Sequence, residues 1–170
     1  MTEKPDWTSI DNYGMQLALE EARKSYKQGG IPIGSVLLVP DDAEAKGFKI
    51  LGSGHNERIQ KMSATLHGEI SALENAGRLR VDVYRRATIV NHRSVSLLSP
   101  CSMCSGAIYF YKIPRVVIGE NQTYMGDESL LRSRGVEVVV VDNDECKQLM
   151  RRFISEKPEE WDEDIAEVKN

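Results

Sequence analysis

Two short stretches separated by 28 residues, Thr65-Leu66-His67-Gly68-Glu69-Ile70 and Ser99-Pro100-Cys101-Ser102-Met103-Cys104, constrain this 170-residue chain more than anything else in it. Zinc is held tetrahedrally by nitrogen and sulfur, and a reactive zinc site supplies three protein ligands and leaves the fourth position to water. His67, Cys101 and Cys104 make such a set only if the fold brings two helix starts to one point. Cys101 and Cys104 lie three positions apart, so on a helix they share a face. Ser99 is the expected N-cap of that helix and Pro100 its first residue, where a missing N–H costs nothing. The positive end of the helix dipole then favours the thiolates that a metal requires. Thr65 is expected to cap a second helix in the same way, with His67 in its first turn.

Glu69 stands two positions from His67, a spacing at which helical side chains do not face each other, so it is poorly placed as a fourth ligand. It suits a proton shuttle: zinc lowers the pKa of bound water to about 7, and a nearby carboxylate can take that proton and return it to a base and to departing ammonia. His-x-Glu followed by Pro-Cys-x-x-Cys is the signature of zinc-dependent nucleobase deaminases. The competing reading is a closed structural zinc site with a fourth protein ligand from His55, His92 or Cys146, in a zinc-stapled binding protein without turnover.

The net charge of −4 and pI near 5.5 lack the basic footprint of a nucleic-acid binder. Arg78, Arg80, Arg85 and Arg86 read as a solvated face. No apolar run is long enough for a bilayer and the start does not resemble a signal peptide, so an intracellular location is expected. Three cysteines, two of them assigned to metal, argue against a disulfide framework. No linker or repeat divides residues 1–170, and one domain is expected.

Taken in order, residues Thr8 to Gln28 predict a helix from the spacing of Met15, Ala18, Leu19, Ala22 and Tyr26, ended by Gly29-Gly30. Ile31 to Val39 and Phe48 to Gly54 predict a hairpin, after which Asn56 offers a donor and an acceptor to the edge of a pyrimidine or, alternatively, bonds its own backbone. A helix follows from Leu66 to Ala76, then a strand between Ala87 and Leu98, the Cys101 helix to about Tyr111, and strands Val116 to Gly119 and Val136 to Val141. Asp142 or Asn143 can cap a helix with Cys146, Leu149, Met150, Phe153 and Ile154 on its apolar side, which makes Cys146 core. Pro158 ends it before a last segment with Trp161, Asp164, Ile165 and Val168. The expected fold class is α/β, three-layer α/β/α around a five-stranded mixed sheet.

With these residues in place, the chain resembles the fungal cytosine deaminases over nearly its whole length. The likeness runs through Gly29-Gly30-Ile31-Pro32-Ile33-Gly34, Gly54-His55-Asn56, Ala64 to Ile70, Leu98-Ser99-Pro100-Cys101-x-x-Cys104, Gly119-Glu120-Asn121, Arg134 to Asp142, and Trp161 through Asp164-Ile165. Gly68 adds to it, since the related tRNA adenosine deaminases usually carry alanine there. The resemblance implies a cytidine deaminase-like fold and a homodimer with one zinc per subunit, converting the small pyrimidine base cytosine to uracil and ammonia in pyrimidine salvage. It implies a cytoplasmic location with the nucleus also open to it, and neither nucleic acid nor membrane as partner. His67, Cys101 and Cys104 are then the zinc ligands and Glu69 the proton shuttle. Asn56 and the Gly68 backbone hold the base, Asp164 closes on it, Trp161 and Tyr124 cover it, and Ile33, Leu98 and Ser99 complete the pocket. Residues 158–170 form a C-terminal lid, whose alternative is simple docking of the chain end. Other deaminases, of nucleosides, tRNA adenosine or guanine, are the rival enzyme readings. Tyr124 stands where the family has phenylalanine. Asn91-His92-Arg93-Ser94-Val95 stand as five extra residues inside a strand, expected to bulge out or shift the pairing, and a bulge would make them removable.

Overall fold

A computed structural model describes residues 7–92, 100–120 and 126–166. The sheet has the order β2-β1-β3-β4-β5, built from β1 (Gly34–Pro40), β2 (Phe48–His55), β3 (Thr88–His92), β4 (Arg115–Ile118) and β5 (Glu137–Val140). β1 pairs antiparallel with both β2 and β3, whereas β3, β4 and β5 run parallel. Both edges of β1 are thus occupied, and six of its seven residues are buried.

Side-chain alternation along the strands divides the core into two faces. Leu37, Ile89, Val116, Ile118 and Val138 point to one face, where they meet Leu73 of α3 (Gly68–Ala76), Ile108 of α5 (Ser102–Phe110), Tyr84 of α4 (Val81–Tyr84) and Leu131 of α6 (Glu128–Ser133). Leu38, Val90 and Val117 point to the other, against Ile10 and Met15 of α1 (Trp7–Lys27) and Cys146 of α7 (Asp144–Glu156). This is the expected three-layer arrangement. A third cluster joins Ile31 and Ile33 to Met150 and Phe153 of α7 and to Trp161 of α8 (Pro158–Asp164).

The long elements follow the sequence reading closely. α1 buries Met15, Ala18, Leu19 and Ala22 at helical spacing, and the chain leaves it through Gly29 at φ +82°. Asn143 caps α7 by accepting from the Cys146 N–H at 3.1 Å. The first strand starts at Gly34, later than its apolar run, because residues 31–33 are held in the third cluster and not in the ladder. α2 (Arg58–Lys61), α4 and α6 had no helical signal, being four to six residues long and stabilised by tertiary packing.

The two metal-motif helices start later than expected. α5 begins at Ser102 with Cys101 as its extended N-cap (ψ 169°), and α3 begins at Gly68 with His67 as its N-cap (ψ 163°). The cap carbonyls accept the first helical bonds, Ser105 N to Cys101 O at 2.8 Å and Ser71 N to His67 O at 2.9 Å. Pro100 therefore precedes the cap, with its carbonyl accepting from Ser105 Oγ, and Thr65 lies two residues outside α3. Ser99 lies outside the described residues. No helix among the described residues is long and apolar enough to cross a membrane.

The strand thought to carry an insertion is regular through its first two extra residues. Asn91 pairs with Ser35 on β1 and Ile118 on β4, and His92 pairs with Gly34, so Asn91 and His92 are ladder residues and not a bulge. Residues 93–95 lie outside the described residues.

Candidate active site

The N-terminal ends of α3 and α5 converge at one side of the sheet. His67 from the first cap, Cys101 from the second and Cys104 from the first turn of α5 bring their ligand atoms within 4.8 Å of one another. The Cys101 sulfur lies 3.5 Å from His67 Nδ1. One imidazole nitrogen and two thiols, all at or near helix N-termini, fit zinc, and three protein ligands leave room for a fourth that is not protein. The candidates for a closed site stand elsewhere among the described residues. His55 bonds Glu21 and Gln28, and Cys146 packs on Met15 with its thiol pushed up to about 12, chiefly by burial and then by the charge of Glu120. The side chain of His92 lies outside the described residues.

Glu69 is the second residue of α3 and is fully buried. Its Oε1 accepts from Asn91 Nδ2 at 2.8 Å. Gly68, between histidine and glutamate, lies against Ile33: a Cβ there would stand 3.1 Å from the Ile33 carbonyl oxygen and 3.2 Å from Cγ2, so the wall must give before even alanine fits.

Asn56 follows β2 and is fully buried. Its backbone N–H donates to Ile33 O at 2.7 Å, and its carbonyl accepts from Ser25 Oγ at 2.8 Å. The side chain accepts from the Arg58 N–H at 3.1 Å and donates to Asp164 Oδ1 at 3.0 Å. The turn-residue alternative is thus half right, since one end of the amide makes a local bond and the other reaches the C-terminal helix. Asp164 Oδ1 also accepts from Arg58 Nη1 at 3.0 Å and lies 3.5 Å from His67 Nε2, on the ring edge away from the sulfurs. Arg58 Nη2 donates to Glu163 Oε1 at 2.7 Å. Burial works against the Arg58 charge, but the Asp164 and Glu163 carboxylates outweigh it, and the guanidinium pKa moves up.

Beside these groups is a cavity of about 310 Å³, lined by Arg58, Ala64, His67, Cys101, Met103 and Asp164 among others. That is at the small end of the range of about 300–1,000 Å³ for small-molecule sites. Trp161 does not line it. The indole is 5% exposed and packs with Ile31, Ile33, Met150 and Phe153, with Cys101 and Ile165 against the same cluster. Tyr124, Leu98 and Ser99 lie outside the described residues. Arg58 is the site residue that sequence reasoning missed, its partner Asp164 being 106 positions away. Asn91 was seen only as part of the extra segment.

Residues 8–120 match the family model described as the cytidine and deoxycytidylate deaminase zinc-binding region. The chain is similar to a cytosine deaminase of Candida albicans, 55% identical over 160 residues, covering 94% of this chain and 99% of the relative. It is 30% identical over 155 residues to a tRNA-specific adenosine deaminase of Buchnera aphidicola, covering 86% and 95% of the two chains. In fold it is similar to the solved guanine deaminase from Nitrosomonas europaea, with a TM-score of 0.65 at 18% identity over 91% of this chain and 96% of that one.

Proposed function

The chain belongs to the cytidine and deoxycytidylate deaminase zinc-binding family, and we propose that within it this protein hydrolyses cytosine to uracil and ammonia. The observation that carries the reading is the convergence of His67, Cys101 and Cys104 beside buried Glu69 and a small cavity edged by Asp164. The 55% identity to a cytosine deaminase supports the same substrate. Gly68 weighs against the tRNA adenosine reading, because the alanine usual there has no room until Ile33 shifts.

His67 Nδ1 and the two sulfurs would hold the metal, and Asp164 near Nε2 would fix the imidazole orientation. Bound zinc supplies an activated water and offsets charge developing on its oxygen. Glu69 would take one proton of a water there and give it to the ring nitrogen as the oxygen adds to the amine-bearing ring carbon, then carry that oxygen's second proton to the amine as the C–N bond breaks and ammonia leaves. Asn56, the Gly68 backbone, Ile33, Leu98, Ser99 and Tyr124 are assigned to the base-binding wall by family likeness. Asp164 accepts from the exocyclic amine while Arg58 and Asn56 hold its carboxylate. Burial of these groups raises the strength of every such contact.

We assign the 170 residues to one deaminase domain with 158–170 as its lid, a reading supported by Asp164 at the edge of the cavity and by Trp161 in the core. A homodimer is supported by the apolar side chains on and beside α5, where Met103, Tyr109, Phe110, Tyr111 and Leu130 are all exposed and Phe110 reaches 74%. The acidic balance supports a small-molecule base, not nucleic acid, as partner, and the likeness to a cytosine deaminase supports a place in cytoplasmic pyrimidine salvage, with the nucleus also open to it. Ultraviolet absorbance of cytosine incubated with the zinc-loaded protein tests the reading, with adenosine, cytidine and guanine as controls. Loss of the cytosine band alone is expected. Turnover of a control in its place, or of none of the four, rejects it.

A further inference from the structure

We propose that Asn91 is a positioning residue for the deamination, acting through Glu69; the proposal rests on the deaminase reading above. Asn91 lies in a strand held on both sides, paired with Ser35 of β1 and Ile118 of β4, and its carbonyl accepts from the Gly119 N–H at 3.1 Å. Alternation along β3 sends Ile89 into the cluster beneath α3 and α5 and Val90 toward α1 and α7. Asn91 shares the face of Ile89, toward α3, and both it and Glu69 are fully buried. Its Nδ2 donates to Glu69 Oε1 at 2.8 Å. A carboxylate can only accept, so the amide must present its nitrogen there.

Residues of β3 and β4 around this position are apolar and buried, among them Ile89, Val90, Val116, Val117 and Ile118. A buried amide donor in such a strand is unfavourable unless something bonds it, and Glu69 is what bonds Asn91 Nδ2, while the buried Oδ1 makes no hydrogen bond among the described residues. Glutamate reaches its target through three rotatable bonds, and a proton shuttle must meet the water, the ring and the departing amine in turn. Tethering Oε1 to a strand fixed from both sides restricts where the Glu69 carboxylate can sit. Correct placement of a reacting group accounts for large factors in rate, and an error of about 1 Å can cost about a hundredfold. Asn91 therefore acts on turnover and not on base binding.

Asn91→Leu keeps the branching and heavy-atom count of the side chain and removes the donor. The expected result is a folded, zinc-loaded protein whose kcat falls at least about tenfold with KM within about twofold of the parent. Parent kcat, or a raised KM with kcat intact, would overturn the proposal. Should Asn91→Leu fail to fold, Asn91→Val, a residue suited to strands and without a donor, carries the same comparison. Failure of both to fold would show that Asn91 serves only the sheet and would also overturn it. A readout free of activity comes from protein labelled with nitrogen-15 asparagine. The side-chain amide signal of Asn91, recognised by its loss in the Asn91 variant, is expected to shift in Glu69→Ala, and an unmoved signal overturns the contact without reference to any substrate. A parent protein inactive on cytosine whose signal still responds to Glu69 would reject the substrate assignment and leave the contact standing.

Discussion

Asp164, the last residue of α8, accepts a hydrogen bond from the Asn56 side chain across 108 positions of sequence, and the same oxygen accepts from Arg58. One carboxylate thus ties the C-terminal helix to the residue that ends the hairpin and borders the metal-binding histidine. Two neutral or charged donors on a fully buried oxygen make its position sharply defined. The C-terminal helix is thus held at two points, by the Asp164 carboxylate at the edge of the cavity and by Trp161 in the core.

Asp164→Ala leaves Asn56 Nδ2 and Arg58 Nη1 without this acceptor, at the cost of an unmade buried bond. The expected result is a folded protein with kcat/KM for cytosine lowered at least about tenfold, mainly through KM. Arg58→Lys keeps a charge but loses the fork that spans Asp164 and Glu163, and should fall between the parent and Asp164→Ala. Steady-state kinetics on the three proteins decide it, and an unchanged KM in Asp164→Ala would remove Asp164 from substrate recognition.

Trp161→Ala separates anchorage from coverage. The indole fills a cluster with Ile31, Ile33, Met150 and Phe153, and emptying that space should cost about 3–5 kcal/mol of unfolding free energy. Truncation after Pro158 would remove Asp164 and Trp161 together, so it cannot assign either. Denaturant unfolding of Trp161→Ala measures the anchor alone, and a loss well below 1 kcal/mol would return the indole to the pocket roof.

These two residues show how far the sequence could be read. Long elements were legible because their apolar spacing is a local signal, as in Met15, Ala18, Leu19 and Ala22. The metal set was legible because its spacing is dictated by coordination chemistry. Arg58 was not, since an arginine on a four-residue helix has no local mark and gains its meaning from Asp164. The helix caps were misplaced because Ser99 and Thr65 have good capping side chains, whereas the extended cap positions are occupied by Cys101 and His67, the residues proposed to hold the metal. Asn91 was counted as extra length because register, which sets which face a strand residue takes, is a property of the pairing and not of the string.

Replacing one metal ligand should unload the site. Cys101→Ser and His67→Ala are expected to lose most of about one zinc per chain and to unfold at lower temperature than the parent, since metal binding and folding free energy are linked. Metal analysis after gel filtration measures the first and thermal unfolding the second. Full zinc retention by Cys101→Ser would remove Cys101 from the ligand set.

Glu69→Gln keeps the shape and the acceptor oxygen facing Asn91 but cannot carry a proton. Zinc content should stay at the parent level while turnover falls at least about a hundredfold, the usual loss for a general acid–base group. Near-parent turnover would make Glu69 a structural partner of Asn91 and nothing more.

The pairing of α1 with the end of β2 predicts an acid sensitivity. Glu21 accepts from His55 at 2.8 Å and from Lys24 at 2.6 Å. The His55 hydrogen bond is the largest influence on Glu21; burial opposes it and Lys24 reinforces it, and together they hold the carboxyl at about 2 against an ordinary 4.5. A depressed native pKa means that the ionised form favours folding, so the contribution is complete above about pH 4.5 and is lost as the pH falls toward 2. Glu21→Gln should accordingly be less stable than the parent at pH 6, with the gap closing as the pH drops through that window. Unfolding by denaturant at a series of pH values measures both curves. A gap that stays constant from pH 6 to pH 2.5 would show that Glu21 contributes through packing alone, and the His55 pair would then have no part in the stability of the strand end that leads into Asn56.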